Sequence, residues 1–142
     1  MKTSARNQFE GTVSRIVDGA INDEIVVALE GGQEIVATIT KNSTKRLGLA
    51  EGRPVIALVK ASFVILFQDT DDLILSTRNV YRGVVSSLNE GQVMVDVNMA
   101  MEGGLAMTAT ITQPSRDRLG LKEGVPVTAA VKASAVVLAV RR

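Results

Sequence analysis

Apolar and polar positions alternate with a period of two through Phe9, Gly11 and Val13 and again through Ile35, Ala37 and Ile39, and Ile25 to Leu29 forms a short apolar run. Alternation at this period puts successive side chains on opposite faces of an extended chain, so these segments predict three strands separated by glycine-bearing turns. Ser43 to Leu49 breaks the alternation and predicts about one helical turn, with Ser43 as the candidate cap. Pro54 to Lys60 and Phe63 to Phe67 supply two more strands. Five strands with a short helix before the fourth predict a small OB-like β-barrel.

The same pattern then occurs a second time. Ser4 to Leu66 aligns without a gap on Ser76 to Leu138, with about half of the positions identical. The copies open with Ser4-Ala5-Arg6-Asn7 and Ser76-Thr77-Arg78-Asn79. They share the turns Gly31-Gly32 and Gly103-Gly104, then Leu47-Gly48-Leu49 and Leu119-Gly120-Leu121, and they close with Lys60-Ala61-Ser62 and Lys132-Ala133-Ser134. The expected organisation is all-β: two tandem OB-like five-stranded barrels, each with a short helix, over residues 1–67 and 76–142. Residues 68–75 form a linker whose first part, Gln68-Asp69-Thr70-Asp71-Asp72, is polar and acidic. So short a tether predicts that the halves pack on each other or share a partner surface. A barrel of this size buries roughly 60% of its unfolded surface and needs added burial, which packing of the halves or oligomerisation supplies.

Composition narrows the chemistry. The apolar material is aliphatic, with 3% aromatic residues, and the 142 residues contain neither histidine nor cysteine. Imidazole bases, thiolate nucleophiles, disulfides and the usual zinc, copper and iron ligands are thereby removed together. An enzyme is disfavoured. Sixteen basic residues against fifteen acidic ones leave a net charge of +1, so no bulk field attracts nucleic acid or anionic lipid. An OB fold raises a nucleic-acid-binding reading, but the base-stacking residues amount to Phe9, Phe63, Phe67 and Tyr81. The first residues form no apolar signal core and no run is long enough to span a bilayer, so a cytoplasmic protein without membrane contact is expected.

What recurs is a set of hydrogen-bond donors: Ser4 and Arg6 with Lys60 and Ser62, and Ser76 and Arg78 with Lys132 and Ser134. Arginine offers a planar fork, lysine a point charge and serine a hydroxyl, and backbone N–H groups complete a cradle for an oxyanion. In one copy alone these residues read equally well as solvated strand-end charges and turn residues, or as part of a scaffold that binds no ligand. Their persistence in both copies favours the anion. No carboxylate lies in either sequence cluster, which favours a fully deprotonated anion such as sulfate, molybdate or tungstate over a protonated phosphate. Asp18, Asp23 and Glu24 read as exposed turn charges. Ser43 and Ser115 are first helix caps and second donors to an anion at a helix start.

The motifs Ser-Ala-Arg-Asn, Gly-x-Val, Thr-Ile-Thr-x-x-Ser-x-x-x-Leu-Gly-Leu-x-x-Gly and Lys-Ala-Ser together resemble the molbindin, or Mop, domain, a TOBE-like domain. The tandem arrangement is similar to the molbindins of the ModG type, and the resemblance covers nearly the whole chain twice. It implies a cytoplasmic protein of molybdenum storage and homeostasis with no cofactor and no catalysis. It further implies a homotrimer holding molybdate or tungstate between subunits. The implied ligand residues are Ser4, Ala5, Arg6, Lys60, Ala61 and Ser62, then Ser76, Thr77, Arg78, Lys132, Ala133 and Ser134, with Ser43 and Ser115 contributed by a neighbouring domain. A second kind of site near the symmetry axis would use Gly19, Ala20 and Ile21, and Gly91, Gln92 and Val93. Thr77 in place of Ala5, and Met94 in place of Asn22, predict unequal halves. The chain shows no helix-turn-helix and no ATP-binding loop, so a free-standing binder is expected.

Overall fold

Along strand β1 (Asn7–Val17) buried Asn7, Phe9 and Val13 alternate with exposed Gln8, Glu10 and Thr12, so one face of the strand lies in the core. The computed structural model describes all residues from Met1 to Arg142. The first repeat continues through β2 (Asn22–Leu29), β3 (Glu34–Thr40), helix α1 (Lys41–Arg46), β4 (Pro54–Val59) and β5 (Val64–Phe67). The second follows with β6 (Asn79–Glu90), β7 (Met94–Met101), β8 (Ala106–Thr112), α2 (Gln113–Leu119), β9 (Pro126–Val131) and β10 (Val137–Ala139). A bulge between Val13 and Arg15 in β1, and its counterpart between Val85 and Ser87 in β6, bends each long strand. One end of β1 therefore pairs with β4 and the other with β2, which curls the sheet.

The two five-stranded antiparallel sheets run β10-β4-β1-β2-β3 and β5-β9-β6-β7-β8. Each barrel thus receives its last strand from the other repeat: Leu138 pairs with Ala57, and Leu66 with Ala129. The repeats are contiguous in sequence, but the barrels are not, because residues 64–67 and 137–139 have exchanged places. Either barrel can accept either strand, since Val64 and Leu66 offer the same inward side chains as Val136 and Leu138, all four buried.

Burial is continuous across the exchange. A single cluster of 27 buried apolar residues takes in Phe9, Val13, Ile25 and Val59 from one barrel and Tyr81, Val85, Val95 and Val131 from the other. Tyr81 donates its phenol hydrogen to the Glu34 carbonyl at 2.7 Å, and burial pushes this phenol well above its ordinary acidity range. The hairpin tips also meet. Gly31 takes φ +91°, and a Cβ there would lie 2.1 Å from the Gly103 carbonyl oxygen, so both the turn and the close approach require glycine. Gln33 Nε2 donates to the Glu102 carbonyl at 2.8 Å beside this contact.

The helix starts differ from expectation. Thr40 and Thr112, not Ser43 and Ser115, are the caps: each threonine Oγ1 accepts from the serine backbone N–H three residues on, at 3.1 and 3.3 Å. The serine is the third helical residue, whose N–H is the one a capping side chain satisfies. No helix is long and apolar enough to cross a membrane.

Candidate anion-binding site

The ladder between the first and fourth strands of each repeat draws the two motifs together. Asn7 pairs with Val59 and Asn79 with Val131, so Arg6 and Lys60 leave one sheet side by side, and Arg78 and Lys132 leave the other. Each lysine is still extended, and the Ala-Ser that follows opens a single 3-10 turn, Ala61–Phe63 or Ala133–Ala135. Thr77 fixes the second approach: its hydroxyl donates to the Val131 carbonyl at 2.7 Å and accepts from the Asn79 N–H at 3.1 Å. Ala5 N–H is bonded to Thr3 Oγ1 at 3.1 Å.

Ser76, Thr77, Arg78, Lys132, Ala133 and Ser134 line one cleft of about 480 Å³, and its other wall is Glu24, Val36 and Thr38 of the first barrel. The cleft therefore lies between barrels. The aligned set of the first repeat faces the second barrel in the same way. Arg6 reaches Asp96, Asn7 bonds the backbone of Thr108, and the Ala61–Phe63 turn packs on β8 as the Ala133–Ala135 turn packs on β3.

The electrostatics correct one expectation, because carboxylates do stand at both sets. Arg78 Nη2 lies 2.9 Å from Glu24 Oε1, and Arg6 Nη1 lies 2.8 Å from Asp96 Oδ2. Thr110 Oγ1 donates to the second Asp96 oxygen at 2.8 Å. The Arg6 hydrogen bond, then that of Thr110, holds the Asp96 carboxyl below the usual aspartate range. Lys60 and Lys132 are exposed and form no ion pair, so they are the uncompensated positive charges of the two sets. The cleft is thus a donor array of serine, threonine, lysine, arginine and backbone nitrogen in which one acid is also present.

Other predicted residues lie elsewhere. Ser43 and Ser115 are on α1 and α2 and do not line the cleft; their hydroxyls accept from Thr40 and Thr112, at 2.9 Å in each case. Gly19, Ala20 and Ile21, and Gly91, Gln92 and Val93, form exposed β1–β2 and β6–β7 turns. These turns are tied to the helix starts, with Lys41 N–H on the Ile21 carbonyl at 3.1 Å and Gln113 N–H on the Val93 carbonyl at 3.2 Å. Asp23 is not an exposed turn charge. It is buried and accepts from Lys41 Nζ at 2.7 Å, whose hydrogen bond lowers its pKa, and Asp18 takes a second bond from the same amine at 3.3 Å. Valine and glutamine, Val95 and Gln113, replace this pair in the second copy.

Sequence reasoning missed Glu24 and Asp96 as partners of the arginines, and Asn7 and Asn79 as connectors between barrels. A signal existed in both cases. An acid is kept at the aligned positions 24 and 96, in strands identical only at Ala28 and Ala100, and the asparagine is invariant between the opening motifs.

The TOBE domain family model matches residues 3–66 and 75–138. The chain is similar to molybdenum transport protein ModE of Herbaspirillum seropedicae, with 44% identity over 142 residues, covering 100% of this chain and 53% of that protein. It is similar to molybdenum-pterin-binding protein MopA of Rhodobacter capsulatus, with 42% identity over 139 residues, 98% of this chain and 52% of that one. The chain spans about half the length of the curated relatives it matches. Among solved structures it is similar to the cytoplasmic molybdate-binding protein ModG in a form with molybdate bound. There the TM-score is 0.95 at 42% identity, covering 99% of this chain and 100% of that chain.

Proposed function

The chain belongs to the TOBE-domain family, which it represents twice in tandem, and from that premise we propose that it binds molybdate and serves intracellular molybdenum storage and homeostasis. One observation carries this reading: Arg78, Lys132, Ser76 and Ser134 converge on a single cleft between the barrels, with the backbone of Thr77 and Ala133 beside them. Arg6, Lys60, Ser4 and Ser62, with Ala5 and Ala61, provide the aligned second site. A tetrahedral dianion takes charge-assisted hydrogen bonds from the guanidinium and ammonium and neutral ones from hydroxyl and main chain. Tungstate has the same charge and shape and shares the site.

The proposal includes a homotrimer in the cytoplasm, whose neighbouring subunits close the clefts and bring in Ser43, Ser115 and the turns at 19–21 and 91–93. Exposed apolar side chains support association: Ile74 is 100% exposed, Ile21 77% and Val93 69%. It also includes binding without catalysis and without nucleic acid, supported by the absence of histidine and cysteine and by the net charge of +1.

Calorimetric titration with molybdate, tungstate and sulfate tests the reading. Molybdate at a hundredfold excess over its dissociation constant should stabilise the fold by about 2.7 kcal/mol. Absence of both binding heat and thermal stabilisation defeats it. Light scattering that gives a monomer mass at micromolar concentration removes the trimer.

A further inference from the structure

Each arginine of the two sets is held by an acid of the opposite barrel, and the two holds differ. Asp96 is anchored at both oxygens, by Arg6 at 2.8 Å and by Thr110 at 2.8 Å. Glu24, one methylene longer, forms an ion pair with Arg78 at 2.9 Å. Thr38, the aligned partner of Thr110, lines the cleft, and no hydrogen bond joins its hydroxyl to Glu24. An acid within reach of the same guanidinium is a rival ligand for it and a like charge toward any dianion that enters.

We propose that Asp96 and Glu24 are carboxylate latches that compete with the oxyanion for Arg6 and Arg78, and that their unequal anchoring makes the two sites of one chain fill at different anion concentrations. The inference rests on reading these sets as oxyanion sites. The Arg78 site fills first: its latch has one anchor, and Thr38 is free to add a donor. The Arg6 site fills later, because an incoming anion must displace a carboxylate that also keeps Thr110 engaged. The latches are thus affinity-setting residues that need not touch the ligand.

Calorimetric titration of the full chain with molybdate tests this in the wild type, Asp96→Asn, Glu24→Gln and Thr110→Val. The wild type should show two affinity classes. Releasing an exposed ion pair is expected to tighten the weaker class about fivefold in Asp96→Asn and the stronger class about twofold in Glu24→Gln. Thr110→Val keeps the charge, removes one anchor and tightens the weaker class, so it supplies the reading should Asp96→Asn fail to fold. Unchanged or weakened affinity in these variants, with binding intact in the wild type, overturns the latch. No molybdate binding by the wild type overturns the assignment of the sites themselves.

Discussion

Asn7 and Thr108 hold each other through a closed pair of hydrogen bonds although they belong to different barrels: Asn7 Nδ2 donates to the Thr108 carbonyl and the Thr108 N–H donates to Asn7 Oδ1, both at 2.8 Å. Asn79 repeats the arrangement with Val36, at 2.7 Å in both directions. A side-chain amide can present an N–H and a carbonyl oxygen side by side as a peptide group does, so each asparagine adds a rung to a strand at the end of its sheet. The rung also fixes where the neighbouring arginine stands, one residue before it.

Asn79→Ala leaves the Val36 N–H and carbonyl buried without partners. Two lost bonds and two stranded groups cost about 2 to 4 kcal/mol of stability, measured by urea unfolding. Asn79→Asp should cost at least as much, since its carboxylate cannot donate to the Val36 carbonyl.

Leu138→Ala removes buried side chain from the barrel built by the first repeat, at about 2 to 4 kcal/mol. Hydrogen exchange locates the damage. The amides of β4, Pro54–Val59, should lose protection before those of β9, Pro126–Val131; loss confined to β9 would contradict the exchanged strand order.

Gly31→Ala and Gly32→Ala separate conformation from contact. Both glycines have φ +91°, but only at Gly31 does an added Cβ meet the Gly103 carbonyl. Gly32→Ala should cost about 1 kcal/mol for the left-handed backbone, and Gly31→Ala measurably more, because the hairpin tips must part.

Acid should destabilise the fold through Asp23 and Asp96, whose carboxyls are held below the ordinary aspartate value of 3.8 by Lys41 and by Arg6. A depressed folded pKa gives stability that is complete above the unfolded value and is lost as pH falls through the folded one. Stability should therefore hold above about pH 5 and decline below the ordinary carboxylate range. Asp23→Asn and Asp96→Asn should each flatten that decline in urea titrations between pH 2 and pH 5.

Lys60→Ala and Lys132→Ala each remove an uncompensated positive charge from a candidate site. Molybdate affinity should fall by about 1.5 to 3 kcal/mol per site for a lost charge-assisted hydrogen bond, while the melting temperature without ligand stays near that of the parent. Affinity unchanged from the parent in both variants would place the oxyanion elsewhere.

The repeat, the strands and the short helices were legible because alternation at Phe9 and Val13 and at Ile35 and Ala37 survives in the second copy. The path of β5 and β10 was not. Val64 with Leu66 and Val136 with Leu138 present the same inward pair, so local pattern cannot choose between a chain's own barrel and its neighbour. The helix cap was misplaced by one turn because Thr40 and Ser43 are both capping types and stand at the two ends of a single capping bond. Arg6, Lys60, Arg78 and Lys132 were legible as donors through their recurrence. Their acidic partners were not, because Glu24 and Asp96 meet them only once two barrels are docked, and no local pattern encodes that distance. Asp23 was taken for a surface charge because its neutralising partner, Lys41, is contributed by the following helix.

The reciprocal exchange of β5 and β10 makes the chain a clasp. A protease that cut between Asp72 and Leu73 would release two fragments only on a denaturing gel. Under native conditions each piece would still hold the other's final strand, and the nicked protein would travel as one particle.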